Sequence, residues 1–395
     1  MPSLPTQLPD ALLSRRHWLA LAGTATLAAC GGGGSSTAGD GPTVHPLGVA
    51  TGGTGRVLSF VSAPVTAIEP LVVGGIGMDT RDASITDGDG RPMREGDLAA
   101  GMTAQVLAGA IASGSTRALS IKVDTQVAGP ALWLDGRTLQ VLGQRVSLAS
   151  GALRGAGAED QPADVQVWGQ LDLLAGRIVA RRIDLRPAGT PVMLRGVLGS
   201  LDRSTGSLQV GPLFARTGDA ALIPSGLAEG AVVRLVLGEA LPDGSWQLLA
   251  VRDDALRPPD GLRVELEGCV TQFSSTRRFA LDGVPVDASH AKVEGLAQLL
   301  LGAQAEVHGS MRDGVLIATE VAAEAPEPLE LAGRITALDA GSQTLLLNGW
   351  QVRWDAATRF SGGVSASLRV GRQVAVKARW RPGDAALVAT KISLD

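Results

Sequence analysis

The chain has 395 residues, 45% of them hydrophobic and 19% charged, with a formal net charge of −4. That length allows two or three ordinary domains or a longer row of small ones, and the near-neutral balance excludes a polybasic nucleic-acid binder and an acidic disordered tail. Glycine is abundant at 52 residues and tyrosine is absent; many short apolar runs cut by Gly, Pro and Asp-Gly corners predict an all-β protein.

Residues 1–29 read as an export signal and are set apart from the fold. Ser14-Arg15-Arg16-His17-Trp18-Leu19 resembles the twin-arginine motif, with Arg15 and Arg16 as the pair. The apolar run Leu19 to Ala29, broken by Gly23 and two threonines, is too short to span a bilayer. Its weak hydrophobicity and long n-region favour the twin-arginine route over a general secretory signal with two basic residues. Leu27-Ala28-Ala29-Cys30 resembles the bacterial lipoprotein box, which implies cleavage before Cys30 and lipid on its sulfur. Two or more acyl chains anchor stably where one is marginal. Gly31, standing where an aspartate would resemble an inner-membrane retention signal, points to the outer membrane. Residues 30–47 then form a flexible tether, because glycine, serine and threonine cannot bury enough apolar surface to order themselves.

From there one plan recurs about five times, giving expected β-modules at 48–126, 127–189, 190–256, 257–325 and 326–395. The first is the loosest, anchored by Leu71-Val72-Val73-Gly74-Gly75, Asp97 to Met102 and Ala118 to Ile121. The second keeps Thr138 to Gly143, Val165 to Gly169 and Ile178 to Ile183. The third has Leu194 to Leu198, Ser207 to Gly211 and Gly230 before Val232, with a last strand, Trp246 to Ala250, degraded after the alanine. The fourth runs through Glu267 to Phe273, a hairpin about Asp282-Gly283, Gly302 and Leu316 to Val321. The fifth matches it: Leu331 to Leu338, a hairpin about Asn348-Gly349, Gly371, Gln373 to Lys377 and Leu387 to Ile392.

Alternation such as Gln373-Val374-Ala375-Val376-Lys377 puts every second side chain on one face. Asn-Gly and Asp-Gly supply the positive φ values of two-residue hairpins, and Gly143 and Gly211 fall at the equivalent corner. Five short strands with one face to bury are best satisfied by a small closed barrel. The expected fold is therefore a tandem array of OB-like five-stranded barrels, with open β-sandwich modules as the alternative. Cores this small bury only about 60% of their unfolded surface, so neighbours should pack. Short proline-bearing joints, such as Arg257-Pro258-Pro259 and Pro326-Glu327-Pro328, suggest a semi-rigid row.

A lipoprotein box, a glycine-rich leash and repeats of this pattern together resemble the bacterial lipoproteins built from domain of unknown function 5666. The resemblance is strongest in the fourth and fifth units and rests on turn glycines and alternating strand residues. It implies a fold and transfers no catalytic or cofactor residue.

No catalytic, cofactor or metal constellation is legible. Neither His290 nor His308 is followed at i+2, i+3 or i+4 by a histidine or cysteine of the kind a zinc site needs, and His308 reads as a strand-end residue. Asp87-Gly88-Asp89-Gly90 lacks the remaining ligands of a calcium loop and reads as an exposed turn. Gly52-Gly53-Thr54-Gly55 precedes a strand, not the helix a phosphate would need. Asp253-Asp254 pairs carboxylates, but spacing cannot bring them to a cleft. Cys269, flanked by no activating cation, reads as a small core residue. Trp350 and Trp354 share a face with Val352 and read as core or inter-module contacts, and Trp133, Trp168, Trp246 and Trp380 as core or rim. With 3% aromatics and scattered arginines, a single-strand-binding groove is not expected. The expected function is a non-enzymatic binding or scaffold protein of the envelope, held to the membrane through Cys30 and facing the periplasm or cell surface. Its expected partner is an envelope protein or a glycan, and no nucleic acid. The competing readings are a glycan-acting envelope enzyme and an OB-type nucleic-acid binder.

Overall fold

Val374 and Val376 are 1% and 2% exposed, while Gln373, Ala375 and Lys377 between and beside them face outward. This two-residue period, repeated along the chain, curls each group of strands round an apolar interior. The computed structural model describes residues 58–158, 163–381 and 386–394. Arg15, Arg16, Cys30, the tether and the Gly52–Gly55 run lie outside the described residues.

Barrel 1 comprises β1 (Ser59–Ile68), β2 (Leu71–Val73), β3 (Ile76–Asp79), β4 (Ser84–Asp87), β5 (Thr103–Ala108) and β6 (Ser115–Asp124). Here β1, β2 and β3 form a meander, β3 pairs parallel with β6, β6 antiparallel with β5, and β5 closes on β1. Barrel 2, from β7 (Val127–Trp133), β8 (Thr138–Val141), β9 (Gln144–Arg154), β10 (Ala163–Asp172) and β11 (Arg177–Leu185), closes the same way. So does barrel 3: β12 (Val192–Asp202), β13 (Ser207–Val210), β14 (Leu213–Arg216), β15 (Val232–Ala240) and β16 (Trp246–Asp253). Barrel 4 has β17 (Arg263–Ser275), β18 (Arg278–Leu281), β19 (Val284–Asp287), β20 (Lys292–Glu294), β21 (Gln304–Arg312) and β22 (Val315–Ala323). Barrel 5 has β23 (Leu329–Asp339), β24 (Thr344–Leu347), β25 (Trp350–Arg353), β26 (Arg359–Ser361), β27 (Gln373–Arg381) and β28 (Ala386–Leu394). In every ring the third strand lies parallel to the last, which is the OB order. Barrels 1, 4 and 5 add a short strand parallel to that last one. The third module's final strand is not degraded: β16 continues to Asp253.

The first strand of each barrel bends so that one sheet can close on itself. In barrels 1, 3, 4 and 5 the bend is held by paired backbone bonds. The N–H groups of Gly101, Gly230, Gly302 and Gly371 donate to the carbonyls of Val65, Leu198, Val270 and Ile335, each at 2.8 Å. All four glycines have φ between 82° and 88°, where an L-residue is strained. At Gly371 a Cβ would meet nothing within 4 Å, whereas at Gly302 it would lie 2.9 Å from Leu173 Cβ and Leu174 N of barrel 2. Alanine should therefore cost about 1–2 kcal/mol of backbone strain at either site. Gly302→Ala should lose a further 1–3 kcal/mol or so from overpacking. Denaturant midpoints test this, and equal losses would disprove the contact.

The barrels do not lie in a simple row, as the short joints had suggested. β1 of barrel 1 pairs parallel with β17 of barrel 4, from Ser59↔Arg263 to Ser62↔Leu266, and β7 of barrel 2 meets β12 of barrel 3. Barrels 2 and 3 share one apolar cluster. Trp168 of barrel 2, 4% exposed, belongs to the core of barrel 1, and Ala175 of barrel 2 joins that of barrel 5. Backbone pairing and shared cores, more than joint stiffness, hold the assembly.

Candidate functional site

The two-residue hairpin corners carry out a second task. Asp282-Gly283 and Asn348-Gly349 have φ of 47°, 83°, 50° and 76°, as a primed turn requires. Each corner also touches another barrel. Asp282 lies 3.9 Å from Arg195 of barrel 3. Asn348 Nδ2 donates to Asp135 of barrel 2 at 2.6 Å, and the Gly349 carbonyl accepts from Arg145 Nη2 at 2.8 Å. Gln144 Nε2 of barrel 2 donates to the Val210 carbonyl beside the Gly211 corner at 3.1 Å. Gly143 faces Pro212 of barrel 3, and Gly74 faces Glu265 of barrel 4. Turn chemistry and docking coincide in all five.

Barrels 1 to 4 meet at a buried polar junction. Arg195 Nε donates to Asp254 at 3.1 Å, and the Arg195 carbonyl accepts from Gln126 Nε2 at 2.6 Å. Lys122 pairs with Asp124 at 3.1 Å, and Gln105 donates to the same carboxylate. Burial pushes the Asp282 carboxyl up against the pull of Arg195. Close by, Asp89 is held by Arg234 at 2.8 Å and Arg252 at 3.3 Å. Gln170 and Arg181 of barrel 2 hold Glu267 of barrel 4 at 2.8 and 2.9 Å. The junction encloses only about 30 Å³, too little for a substrate. It is a joint.

Several sequence expectations are revised by that joint. Asp89 is not on an exposed turn; it is largely buried against Arg234 and Arg252 on the outer face of barrel 3. Asp253 and Asp254 point to different partners, Arg257 at 2.6 Å and Arg195, so they do not face one another. Cys269 is buried at 1% exposure, but it lines the junction outside its own barrel's apolar cluster. Burial pushes its thiol far up, with Asp282 adding to the effect, so it is inert. Trp350 and Trp354 are core residues of barrel 5, as their parity predicts, and Arg145 of barrel 2 stacks 4.6 Å from the Trp350 ring.

A larger space lies where barrel 2 meets the outer face of barrel 5. Register places Glu330, Lys377 and Lys391 in one row and Ala332, Ala375 and Ser393 in the next. The small row makes a floor and the charged row a rim. The turn Asp135-Gly136-Arg137 of barrel 2 forms the opposite wall, and the groove holds about 300 Å³, the lower end of ligand-site volumes. Glu330 pairs with Lys377 at 2.9 Å and Arg137 at 3.3 Å, and its carboxyl is held below the usual range chiefly by Lys377. Lys391 has no such partner among the described carboxylates. Sequence reading missed this groove, since only the packing of barrel 2 on barrel 5 creates its wall.

Two consecutive segments, residues 267–322 and 332–393, match the family model described as a domain of unknown function, DUF5666. The chain carries two tandem copies of this domain. The copies fall on barrels 4 and 5; the matched residues are less than half of the chain. No curated protein matches. Among solved structures, a chain described as drosophila Unr CSD456 aligns at 13% identity, covering 52% of this chain and 98% of its own, with a TM-score of 0.15. That overlap is too loose to carry a functional argument.

Proposed function

We propose that this chain is a non-enzymatic binding or scaffold protein of the bacterial envelope. In this reading, export uses Arg15 and Arg16, lipid on Cys30 anchors the chain to the outer membrane, and the glycine-rich tether lets the barrels stand off the bilayer. The groove between barrels 2 and 5 carries the proposal. Its small-residue floor admits a ligand chain, and Lys391, beside the Lys377 and Arg137 that Glu330 already pairs, favours an anionic group on it. The walls belong to two barrels fixed by side-chain and backbone contacts, so little ordering is needed on binding. The DUF5666 copies fit this reading without specifying a ligand.

Crosslinking in intact cells, with captured partners identified by mass spectrometry, tests both halves. The expected result is one discrete envelope partner, lost in Ala375→Trp, which fills the floor, and lost in Cys30→Ala, which removes the anchor. Capture untouched by Ala375→Trp would place binding elsewhere, and capture untouched by Cys30→Ala would remove the case for anchoring. Recovery of glycan fragments would favour the carbohydrate reading.

A further inference from the structure

We propose that Glu265, Glu306 and His308 form a binding site for a zinc-class divalent cation on the outer face of barrel 4. His308 is the fifth residue of nine-residue β21, so it is not the strand-end residue its sequence surroundings suggested. β17 places Glu265 directly opposite His308, and Glu306, two residues before His308 on β21, points to the same side. Inner-face neighbours Leu266 and Val307 are buried in the barrel, so the three ligand-bearing side chains all face away from its core.

One imidazole nitrogen and two carboxylate oxygens lie within 4.8 Å of one another. A zinc-class ion with bonds of about 2.1 Å holds opposite ligand atoms at most ~4.2 Å apart. Small rotations of Glu306 and His308, 36% and 39% exposed, close that gap. Glu265 is the fixed element. Its side chain is 15% exposed and lies against the Gly74 corner, where a Cβ would come 3.2 Å from Oε1.

Charge points the same way. His308 Nε2 is 3.2 Å from Glu306 and Nδ1 is 3.7 Å from Glu265; Glu320, opposite His308 on β22, has Lys292 of β20 on its other side. Two carboxylates thus flank one imidazole on this face, and a divalent cation would bind to that pair of anionic groups together with the imidazole nitrogen. Mixed nitrogen and carboxylate donors select zinc-class ions over calcium or magnesium, which prefer all-oxygen cages. The solvent side leaves remaining positions to water, as in open three-ligand sites.

The test uses the full chain, stripped with chelator and titrated with Zn²⁺ by calorimetry and with Co²⁺ by visible absorption. One site is expected. His308→Ala and Glu306→Gln should each weaken it at least about tenfold, with the strand spectrum and unfolding midpoint of the metal-free chain retained. Glu265→Gln should do the same and keeps the shape of the buried side chain. The proposal fails if no ion binds, if Ca²⁺ binds as tightly as Zn²⁺, or if binding is equal in the wild type and His308→Ala. The last outcome would send the ion to another donor set.

Discussion

Arg195→Met should lower the stability of the folded chain by about 3–5 kcal/mol, the usual loss when one partner of a buried ion pair is removed. The guanidinium is buried and faces Asp254 at 3.1 Å and Asp282 at 3.9 Å. Without it two carboxylates from barrels 3 and 4 remain in a space that water barely enters. The pH dependence has a definite sign. Burial already raises the Asp282 carboxyl, and Arg195 opposes that rise. Removing Arg195 raises it further above its unfolded value. An acid whose pKa is raised in the folded state costs nothing below its unfolded pKa, and the loss grows from there until pH has passed the folded pKa. The deficit of Arg195→Met should thus be larger near pH 7 than near pH 4. Denaturant unfolding of wild type and variant at both values checks this; a deficit that grew on acidification would show that the junction carboxylates do not depend on Arg195. Adding Asp254→Asn to the variant should recover part of the loss.

Trp168→Ala is expected to cost a further 3–5 kcal/mol or so on its own, as for other large buried aromatics. The ring is 4% exposed and sits in the core of barrel 1, although its backbone belongs to barrel 2. Its removal leaves a hole between two barrels that are each too small to close over it. Its indole N–H is buried with no hydrogen-bond partner among the described residues, so Trp168→Phe should cost less than about 1.5 kcal/mol. Thermal unfolding with limited proteolysis at the barrel 1–2 joint would read the difference. Equal losses for Ala and Phe would mean that the ring's volume is not what joins the barrels.

Many strand positions, the hairpin corners and the glycines Gly101, Gly230, Gly302 and Gly371 of barrels 1, 3, 4 and 5 were legible in the sequence because each follows a local rule. Asn348-Gly349 needs only its own two residues to be read as a corner. What those corners touch was not legible. Asp282 reaches Arg195, and Asn348 reaches Asp135 of barrel 2, through packing that no spacing encodes. His308 was passed over because its partners were sought ahead of it along the chain. Glu306 precedes it by two residues, and Glu265 arrives from a neighbouring strand whose register is set by barrel closure. The Asp87-Gly88-Asp89-Gly90 turn was read correctly as a turn and wrongly as exposed, since its burial is supplied by Arg234 and Arg252 of another barrel.

The parallel pairing of β1 with β17 bears on the order in which the molecule can be made. Barrel 1 is synthesised first, yet the outer edge of its opening strand finds Arg263 to Leu266 only after barrels 2, 3 and the start of barrel 4 have followed. Until then that edge offers unpaired amides to any passing strand. Completion depends on contacts between distant parts of the chain, which form slowly. A chain of which only the first three barrels have been made is therefore the state of this protein most open to wrong strand pairing.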